Sequence, residues 1–386
     1  MRILHVLNSA DPENGGTFQA VRDMSAHQAA LGHKVTIVST GNGSSCPSGR
    51  RAPKSSQGEI WTVFPVQWKA WRWSYAMQKA MPGLIKETNI VHLHTMWEFP
   101  VYYGHALSLK LGKPYVISPH GMLERRSLEQ QAFKKQVYLR LAGQSILTGA
   151  GAVHFTSRPE FERSRLNCME NKAFVIPLGV TMSDLDDRNE KDFYEKFPEL
   201  VGNRFILFLG RLHPKKRPDL AIRAFQKISW EFKNHYFLMA GPGAINYILK
   251  LKRIVEKYNL KDRVLFPGML GRSLALMAYR KADFFVLPSA QESFGLSVAE
   301  AAASACPVIV SPEVNLSEEI QKTHAGIVCL AQEHDLAEAM RRLLLDPHLR
   351  KQMGENGRRL VLGKFSWNKI ILEYIEMYKS ILNKVP

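Results

Sequence analysis

Glu292 and Glu300, separated by seven residues, stand within Pro288-Ser289-Ala290-Gln291-Glu292-Ser293-Phe294-Gly295-Leu296-Ser297-Val298-Ala299-Glu300. The apolar run 284–287 before this segment reads as a strand, and the Ala-rich stretch from Gly295 onward reads as a helix. The leading amides of such a helix carry the positive end of its dipole and suit a diphosphate, and Gly295 lets the backbone approach it closely. Leu296 and Glu300 are four residues apart, so the amide-bearing start and the Glu300 carboxylate share one helix face. A carboxylate has two acceptor oxygens and fits two adjacent hydroxyls, so Glu300 suits a ribose and Glu292 suits the hydroxyls of a sugar. A glutamate met alone on a helix is usually just solvated; the strand and loop before these two single them out.

A second strand end is cationic. In Leu209-Gly210-Arg211-Leu212-His213-Pro214-Lys215-Lys216-Arg217-Pro218, Arg211 offers a planar fork for two oxygens and Lys216 a point charge, a pair able to stabilise a departing nucleoside diphosphate. Lys215 is the weaker candidate. Gly15-Gly16 follows the first strand, but the full G-x-G-x-x-G fingerprint is absent, which argues against a dehydrogenase. Ser118-Pro119-His120-Gly121-Met122 presents His120 just past another strand, whereas His92 and His94, on what reads as an edge strand, are taken as structural. Asp184-Leu185-Asp186 has the form of a metal-binding D-x-D, yet it lies in an acidic stretch away from any strand end, and no metal is expected.

The elements that must position these groups alternate along the chain. Strands are expected at 2–7, 34–39, 60–66, 90–94, 115–118 and 152–156, with helices at 18–31 and 101–111 and a long helical zone at 130–147. The charged stretch 181–203 reads as a linker, and a second series of strands follows at 204–210, 236–240, 264–266, 284–287 and 308–310. The fold class is therefore α/β: two doubly wound parallel-sheet domains, 1–185 and 200–365, with ligands expected at the carboxyl ends of the strands and a cleft between the domains. Residues 367–382 carry apolar side chains at helical spacing, and a terminal helix of about 368–386 is expected to pack back on the first domain.

The segment E-S-F-G-L-S-V-A-E-A resembles the signature of retaining glycosyltransferase family 4, and Gly15-Gly16, His120, Gly210-Arg211-Leu212 with Lys216, and Phe365-Ser366-Trp367 follow the order of that family along nearly the whole chain. The resemblance implies the GT-B fold of two facing Rossmann-like domains. It also implies transfer of a sugar from a nucleotide-diphosphate sugar with retained configuration and without a metal or other cofactor. It assigns His120, Arg211, Lys216 and Glu292 to catalysis, and Gly15, Gly16, Met269, Leu270, Phe294, Gly295, Leu296 and Glu300 to the donor, with the Gly268-Met269-Leu270-Gly271 loop meeting the base through its backbone. Two positions depart from the family: Arg217 replaces a common glycine, which predicts a looser loop or an added anion contact, and Leu178 replaces an asparagine, which puts the local turn in doubt.

The 386 residues carry a formal net charge of +17, so an anion is an expected partner: phosphorylated substrate, acidic lipid or nucleic acid. No nucleic-acid module is recognisable, and nucleic acid is not expected, although a basic non-catalytic nucleic-acid-binding protein remains the alternative reading, beside a nucleotide-sugar epimerase or phosphorylase. The expected partners are a nucleotide-sugar donor, UDP-linked, and a glycan or lipid-linked acceptor. Peripheral association with an anionic membrane is a further expectation, drawn from the basic excess and from Trp68, Lys69, Trp71, Arg72 and Trp73, which are as readily core or cap. Four scattered cysteines without a C-x-x-C pair, and no export-like segment at the start, point to a cytoplasmic protein with reduced thiols.

Overall fold

The computed structural model describes residues 1–11, 15–41, 57–164, 166–181 and 190–384. The chain divides into two units, Met1–Gly179 with Trp367–Pro386, and Val180–Ser366. The first unit runs β1 (Arg2–Ser9), α1 (Gly16–Ala30), β2 (Lys34–Gly41), β3 (Ile60–Pro65), α2 (Tyr75–Glu87), β4 (Ile90–His94), α3 (Phe99–Lys110), β5 (Tyr115–Ser118), α4 (Arg125–Glu129), α5 (Ala132–Tyr138), α6 (Gln144–Thr148), β6 (Ala152–Phe155), α7 (Arg158–Ser164) and β7 (Ala173–Val175). Its strands pair in the order β3-β2-β1-β4-β5-β6-β7, all parallel.

The two-residue period of β1 explains how the sheet is covered on both faces. Ile3 and Leu7 join a core with Phe18 and Met24 of α1, while Leu4 and Val6 join another with Met81 of α2 and Val101 of α3. β4 lies between β1 and β5, so His92 and His94 sit at the centre of the sheet and not on an edge. The helical zone expected at 130–147 is continuous from Ala132 to Thr148: it starts after Gln131, which is left-handed (φ 55), and α5 passes into α6 through a π-turn at Leu139–Gly143. Helix α2 escaped the pattern because Pro82 lies inside it, a residue that normally signals a break; Ser74 starts the helix by accepting the Met77 amide at 3.3 Å.

The second unit contains α8 (Glu190–Lys196), β8 (Arg204–Leu209), α9 (Pro218–Ile228), β9 (His235–Ala240), α10 (Ile245–Lys257), β10 (Val264–Gly268), α11 (Arg272–Lys281), β11 (Phe285–Leu287), α12 (Leu296–Ala303), β12 (Val308–Val310), α13 (Ser317–Thr323), β13 (Gly326–Val328), α14 (Glu333–Leu345) and α15 (Pro347–Lys364). Its sheet order is β10-β9-β8-β11-β12-β13. Part of the stretch read as a linker is thus helical: in α8, Phe193 is fully buried, with ring centroids 5.0 Å from Phe197 and 5.8 Å from Phe205. Asp184 and Asp186 lie outside the described residues. In each sheet the strand order reverses beside the unit's first strand, at β1–β4 and β8–β11, which is where loops part and ligands enter in such folds.

The last helix, α16 (Trp367–Leu382), belongs with the first unit and buries Trp367, Ile370, Ile371, Tyr374 and Tyr378 against it. Trp367 lies so close to Gly179 that a Cβ there would stand 2.3 Å from the indole, while Leu178, the departure from the family turn, is simply buried. Gly179→Ala should therefore displace Trp367 and destabilise the protein by about 1–3 kcal/mol. Urea unfolding followed by tryptophan fluorescence checks this, and an unchanged midpoint would show that the ring is free to move aside.

Candidate active site

In the second unit the loops after β8 and β11, two paired strands, come together. The Ala290 amide donates to the Lys215 carbonyl at 2.8 Å, and Lys216 Nζ meets Glu292 Oε1 at 2.6 Å. Both side chains retain 17% of their exposure, so the pair is sheltered but open to a ligand. The Ser289 hydroxyl donates to the same Glu292 oxygen at 3.2 Å. The backbone of Glu292 is fixed from the other side, its amide donating to the Glu313 carbonyl at 3.1 Å and its carbonyl accepting from Asn315 at 3.3 Å. Arg211 is exposed and makes no ion pair among the described residues, so its charge is available. The Leu212 amide, donating to the Pro242 carbonyl at 2.7 Å, aligns that loop along the end of β9.

Helix α12 begins where the sequence placed it. Gly295 is left-handed (φ 91), and a Cβ there would also meet Val314 at 3.1 Å, so the turn requires glycine twice over. The amides of Gly295, Leu296 and Ser297 have no acceptor among the described residues, leaving a cluster of donors at the positive end of the helix. The Phe294 ring is buried edge-on against Phe365 at 5.5 Å, so what this residue can offer a ligand is backbone. Glu300, one turn along, accepts from the Tyr279 hydroxyl at 3.3 Å and lies 3.7 Å from Arg272 Nη1. Arg272, which sequence reasoning passed over, opens α11 directly after the Gly268–Gly271 loop, where Met269 is exposed and Leu270 half-buried. A cation at a helix amino terminus opposes the dipole, and that was the signal available for it.

Arg217 corrects an expectation. Its backbone keeps the left-handed conformation (φ 52) that glycine adopts freely, and its guanidinium donates to the Ala331 carbonyl at 2.9 Å. The loop is not slack; it holds its shape at a strain of roughly 1 kcal/mol.

In the first unit Gly15 precedes α1 with φ 76 and ψ −137, a conformation for glycine, and among the described residues neither Gly15 nor Gly16 has a neighbour within 4 Å of where a Cβ would stand. His120 and Gly121 are both left-handed (φ 51 and 73) in the turn after β5. Glu160 of α7 fixes this turn: one oxygen accepts the Gly121 amide at 2.5 Å and the other accepts the Thr156 amide and hydroxyl at 2.7 and 2.6 Å. Burial pushes the Glu160 carboxyl up to about 7 against the pull of those three bonds, with Glu124 adding to the rise.

Residues 14–184 match the model of Glycosyltransferase Family 4, and residues 189–360 match Glycosyl transferases group 1. The chain belongs to the family 4 glycosyltransferases. An uncharacterized glycosyltransferase of Methanocaldococcus jannaschii is 27% identical over 78% of this chain and 78% of its own. The GDP-mannose:cellobiosyl-diphosphopolyprenol alpha-mannosyltransferase of Xanthomonas campestris is 22% identical over 99% of this chain and 97% of its own. Among solved structures, the Anabaena protein HepE in complex with UDP and glucose superposes with a TM-score of 0.79 at 17% identity, over 98% of this chain and all of that one. The two Rossmann-like parallel-sheet units are those of the GT-B fold.

The aromatic-basic turn of this glycosyltransferase is mostly inward. Arg72 Nε donates to the Asn8 carbonyl at 2.8 Å and to Thr40 Oγ1 at 3.1 Å, and Trp71 packs edge-on against Phe99 at 5.5 Å; Trp68 is exposed. Cys306 and Cys329 are free thiols whose pKa burial raises, Cys329 to about 12, which favours the protonated, unreactive form; Cys46 lies outside the described residues.

The first unit holds seven buried or half-buried histidines whose pKa burial pushes down: His5 and His154 to about 4, His120 to about 3, His92 and His94 well below the usual 6.5, and His33 and His105 below it as well. A depressed base takes up its proton only on unfolding, so its stabilisation is present above 6.5 and is withdrawn as pH falls toward the folded pKa; for His5 that amounts to roughly 3 kcal/mol. Glu160 and Glu373, whose carboxyls burial raises, act in the opposite sense but are outnumbered by the histidines. Thermal melts should therefore show the midpoint dropping from pH 7 to pH 5, and a flat or rising midpoint would show these rings to be solvated.

Proposed function

We propose that this glycosyltransferase moves a hexosyl group from a nucleotide-diphosphate sugar, with UDP-glucose or a related UDP-hexose as donor, to a glycan or lipid-linked acceptor in polysaccharide assembly, retaining the anomeric configuration and using no metal. The observation that carries the reading is the Lys216–Glu292 pair beside the three unpaired amides of α12. Cations and amides for a diphosphate, with a carboxylate for sugar hydroxyls, then share one loop cluster. In the reaction the bond from the anomeric carbon to the phosphate oxygen breaks, the acceptor hydroxyl bonds to that carbon from the same side, and its proton passes to the departing phosphate oxygen. No protein nucleophile takes part. Lys216, Arg211 and the α12 amides stabilise the charge that develops on the diphosphate, which is the service a metal would otherwise render. Glu300, oriented by Tyr279, takes the ribose hydroxyls, and the name of the HepE complex supports a uridine nucleotide.

A thermal-shift panel of UDP-, GDP- and ADP-sugars tests the donor, because a ligand that binds only the folded protein raises its midpoint. The UDP-hexose should give the largest shift without added metal. Lys216→Ala, Arg211→Ala and Glu292→Ala should each lower kcat on the order of 10²–10³-fold while the proteins stay folded. Wild-type-like transfer by all three, or a product of inverted configuration by proton NMR, would overturn the assignment.

The acceptor reading draws on the Xanthomonas relative, whose name specifies a polyprenol diphosphate, and on a surface of this chain. No helix among the described residues is long and apolar enough to cross a membrane. Along α5 and the turn after it, however, Phe133, Val137 and Leu141 are exposed at four-residue spacing, with Phe133 at 79% and Leu141 at 80%, beside exposed Lys134 and Arg140. Apolar side chains flanked by cations suit peripheral attachment to an anionic leaflet on the cytoplasmic side. Co-sedimentation with anionic vesicles at low salt should fall several-fold in Phe133→Asp/Leu141→Asp, with transfer to a soluble acceptor unaffected; equal sedimentation of variant and wild type would remove this face from consideration.

A further inference from the structure

Behind His120, one continuous line of hydrogen bonds threads the first unit. His120 Nε2 lies 3.1 Å from His94 Nδ1, His94 Nε2 lies 2.9 Å from His5 Nδ1, and His5 Nε2 lies 2.7 Å from Gln28 Oε1. Gln28 Nε2 continues to the Tyr378 hydroxyl at 3.2 Å, and that hydroxyl to His92 Nδ1 at 2.7 Å. From His92 Nε2 the line passes at 2.6 Å to the Ser118 hydroxyl, then at 2.7 Å to His154 Nδ1, and ends where His154 Nε2 lies 2.8 Å from the Ile176 carbonyl. The side-chain members behind His120 come from β1, α1, β4, β5, β6 and α16 and are buried, whereas His120 itself, in the turn after β5, is only partly so.

The direction of every bond follows from the last one. A carbonyl oxygen accepts and cannot donate, so His154 carries its proton on Nε2, an interaction the Tyr374 oxygen shares at 3.0 Å. His154 Nδ1 then accepts from Ser118, whose oxygen accepts from His92 Nε2. His92 Nδ1 accepts from Tyr378, whose oxygen accepts from the Gln28 amide. Gln28 Oε1 accepts from His5 Nε2, His5 Nδ1 from His94 Nε2, and His94 Nδ1 from His120 Nε2. Reversing the order anywhere sets two lone pairs or two protons against each other in a water-poor interior. Burial holds each ring neutral, as the depressed pKa values indicate, so no second proton blurs the assignment. The tautomers thus follow from the network itself. What remains at the near end is a lone pair on His120 Nδ1, on a partly exposed ring.

We propose that His94 and His5, oriented by Gln28, are positioning residues that hold His120 as the tautomer protonated on Nε2, so that its Nδ1 accepts a hydrogen bond from a hydroxyl of the sugar substrate. The role given to His120 rests on the glycosyltransferase reading above; the tautomer does not. A site built around an acceptor nitrogen favours a sugar that keeps its hydroxyl and rejects the deoxy analogue, whose absence leaves the lone pair unpaired. The geometry also decides between this use and another. His5, His92 and His94 bring three ring nitrogens within 4.8 Å of one another, the count a metal ion would need. A metal held by His94 Nε2 would require that atom's lone pair, where the line requires its proton at 2.9 Å from His5.

The tautomer is read directly from nitrogen NMR of histidine-labelled whole protein at neutral pH, with the His120 signal identified by its loss in His120→Ala. The expected result is Nε2 protonated and Nδ1 bare in the wild type, with no substrate needed. His94→Phe, which can neither accept nor donate, should lose that bias, and His94→Gln, whose amide can accept from His120 and donate to His5, should recover most of it. In transfer assays His94→Phe should lower kcat roughly ten- to hundredfold, the worth of one hydrogen bond to a sheltered partner, with little change in donor KM. His94→Phe/His120→Ala should be no slower than His120→Ala alone, since the first acts only through the second. Should His94→Phe fail to fold, the wild-type spectrum and Gln28→Leu supply the same readings. A wild-type His120 protonated on Nδ1, multiplicative losses in the double variant, or a stoichiometric metal found by elemental analysis of the purified protein would each overturn the proposal. Absence of transfer from every sugar nucleotide, with the tautomer as expected, would instead count against the glycosyltransferase reading of His120.

Discussion

The ion pair between Lys216 and Glu292 is the contact around which the second unit's candidate site is built. A parallel sheet sends all its forward loops to one edge, and the reversal of strand order between β8 and β11 puts the loop of each beside the other with space between them. Two opposite charges at 2.6 Å hold those loops in register while leaving each group a free side for a ligand. The Ala290–Lys215 backbone bond and the Glu313–Asn315 strap around Glu292 remove the freedom that would otherwise dilute the pairing. The unpaired amides of α12 begin three residues after Glu292 in the same loop, and in the proposed transfer, which uses no protein nucleophile, positioning and charge stabilisation are what the protein has to supply.

The first unit solves a different problem. A polar line through an apolar sheet is tolerable only when every donor meets an acceptor, because a half-satisfied network costs more than an apolar core. Here each ring nitrogen of His5, His92, His94 and His154 has a partner, and α16 is indispensable to that balance: Tyr378 joins Gln28 to His92 and Tyr374 backs His154. This gives a physical reason for the chain to return to its first unit after completing the second. The helix contributes apolar cover through Ile370, Ile371 and Ile375, and it also closes a line whose other end is His120.

Much of this was legible in the sequence where a signal is local. The strand-loop-helix around Glu292 and Glu300, the glycine at the start of α12 and the cationic turn after β8 each announce themselves within about a dozen residues, the range over which spacing and turn chemistry act. What escaped depends on partners far along the chain. His92 and His94 look like two histidines on a short strand until β1 supplies His5 and α16 supplies Tyr378, separated from His92 by 286 positions. β13, three residues long, is too brief for any period to show, and α2 was hidden by Pro82. The stretch 181–203 read as linker because charge dominates it, and one buried ring, Phe193, outweighs that composition in α8.

The two departures from the family pattern show how the same geometry is reached by other residues. A left-handed residue after the β8 loop is demanded by the turn into α9, and glycine would adopt it without strain; Arg217 adopts it at an energetic cost, offset by the bond its guanidinium makes to Ala331. Because that guanidinium is held by a carbonyl beyond β13, its hydrogen bonding serves the framework, which is why the proposed anion contacts are Lys216 and Arg211 and not Arg217. Arg272 is the mirror case: a cation placed against the dipole of its own helix, unfavourable in isolation, that is offset by the Glu300 carboxylate opposite it. An unfavourable local placement balanced by a nearby partner marks a site more reliably than either residue does alone.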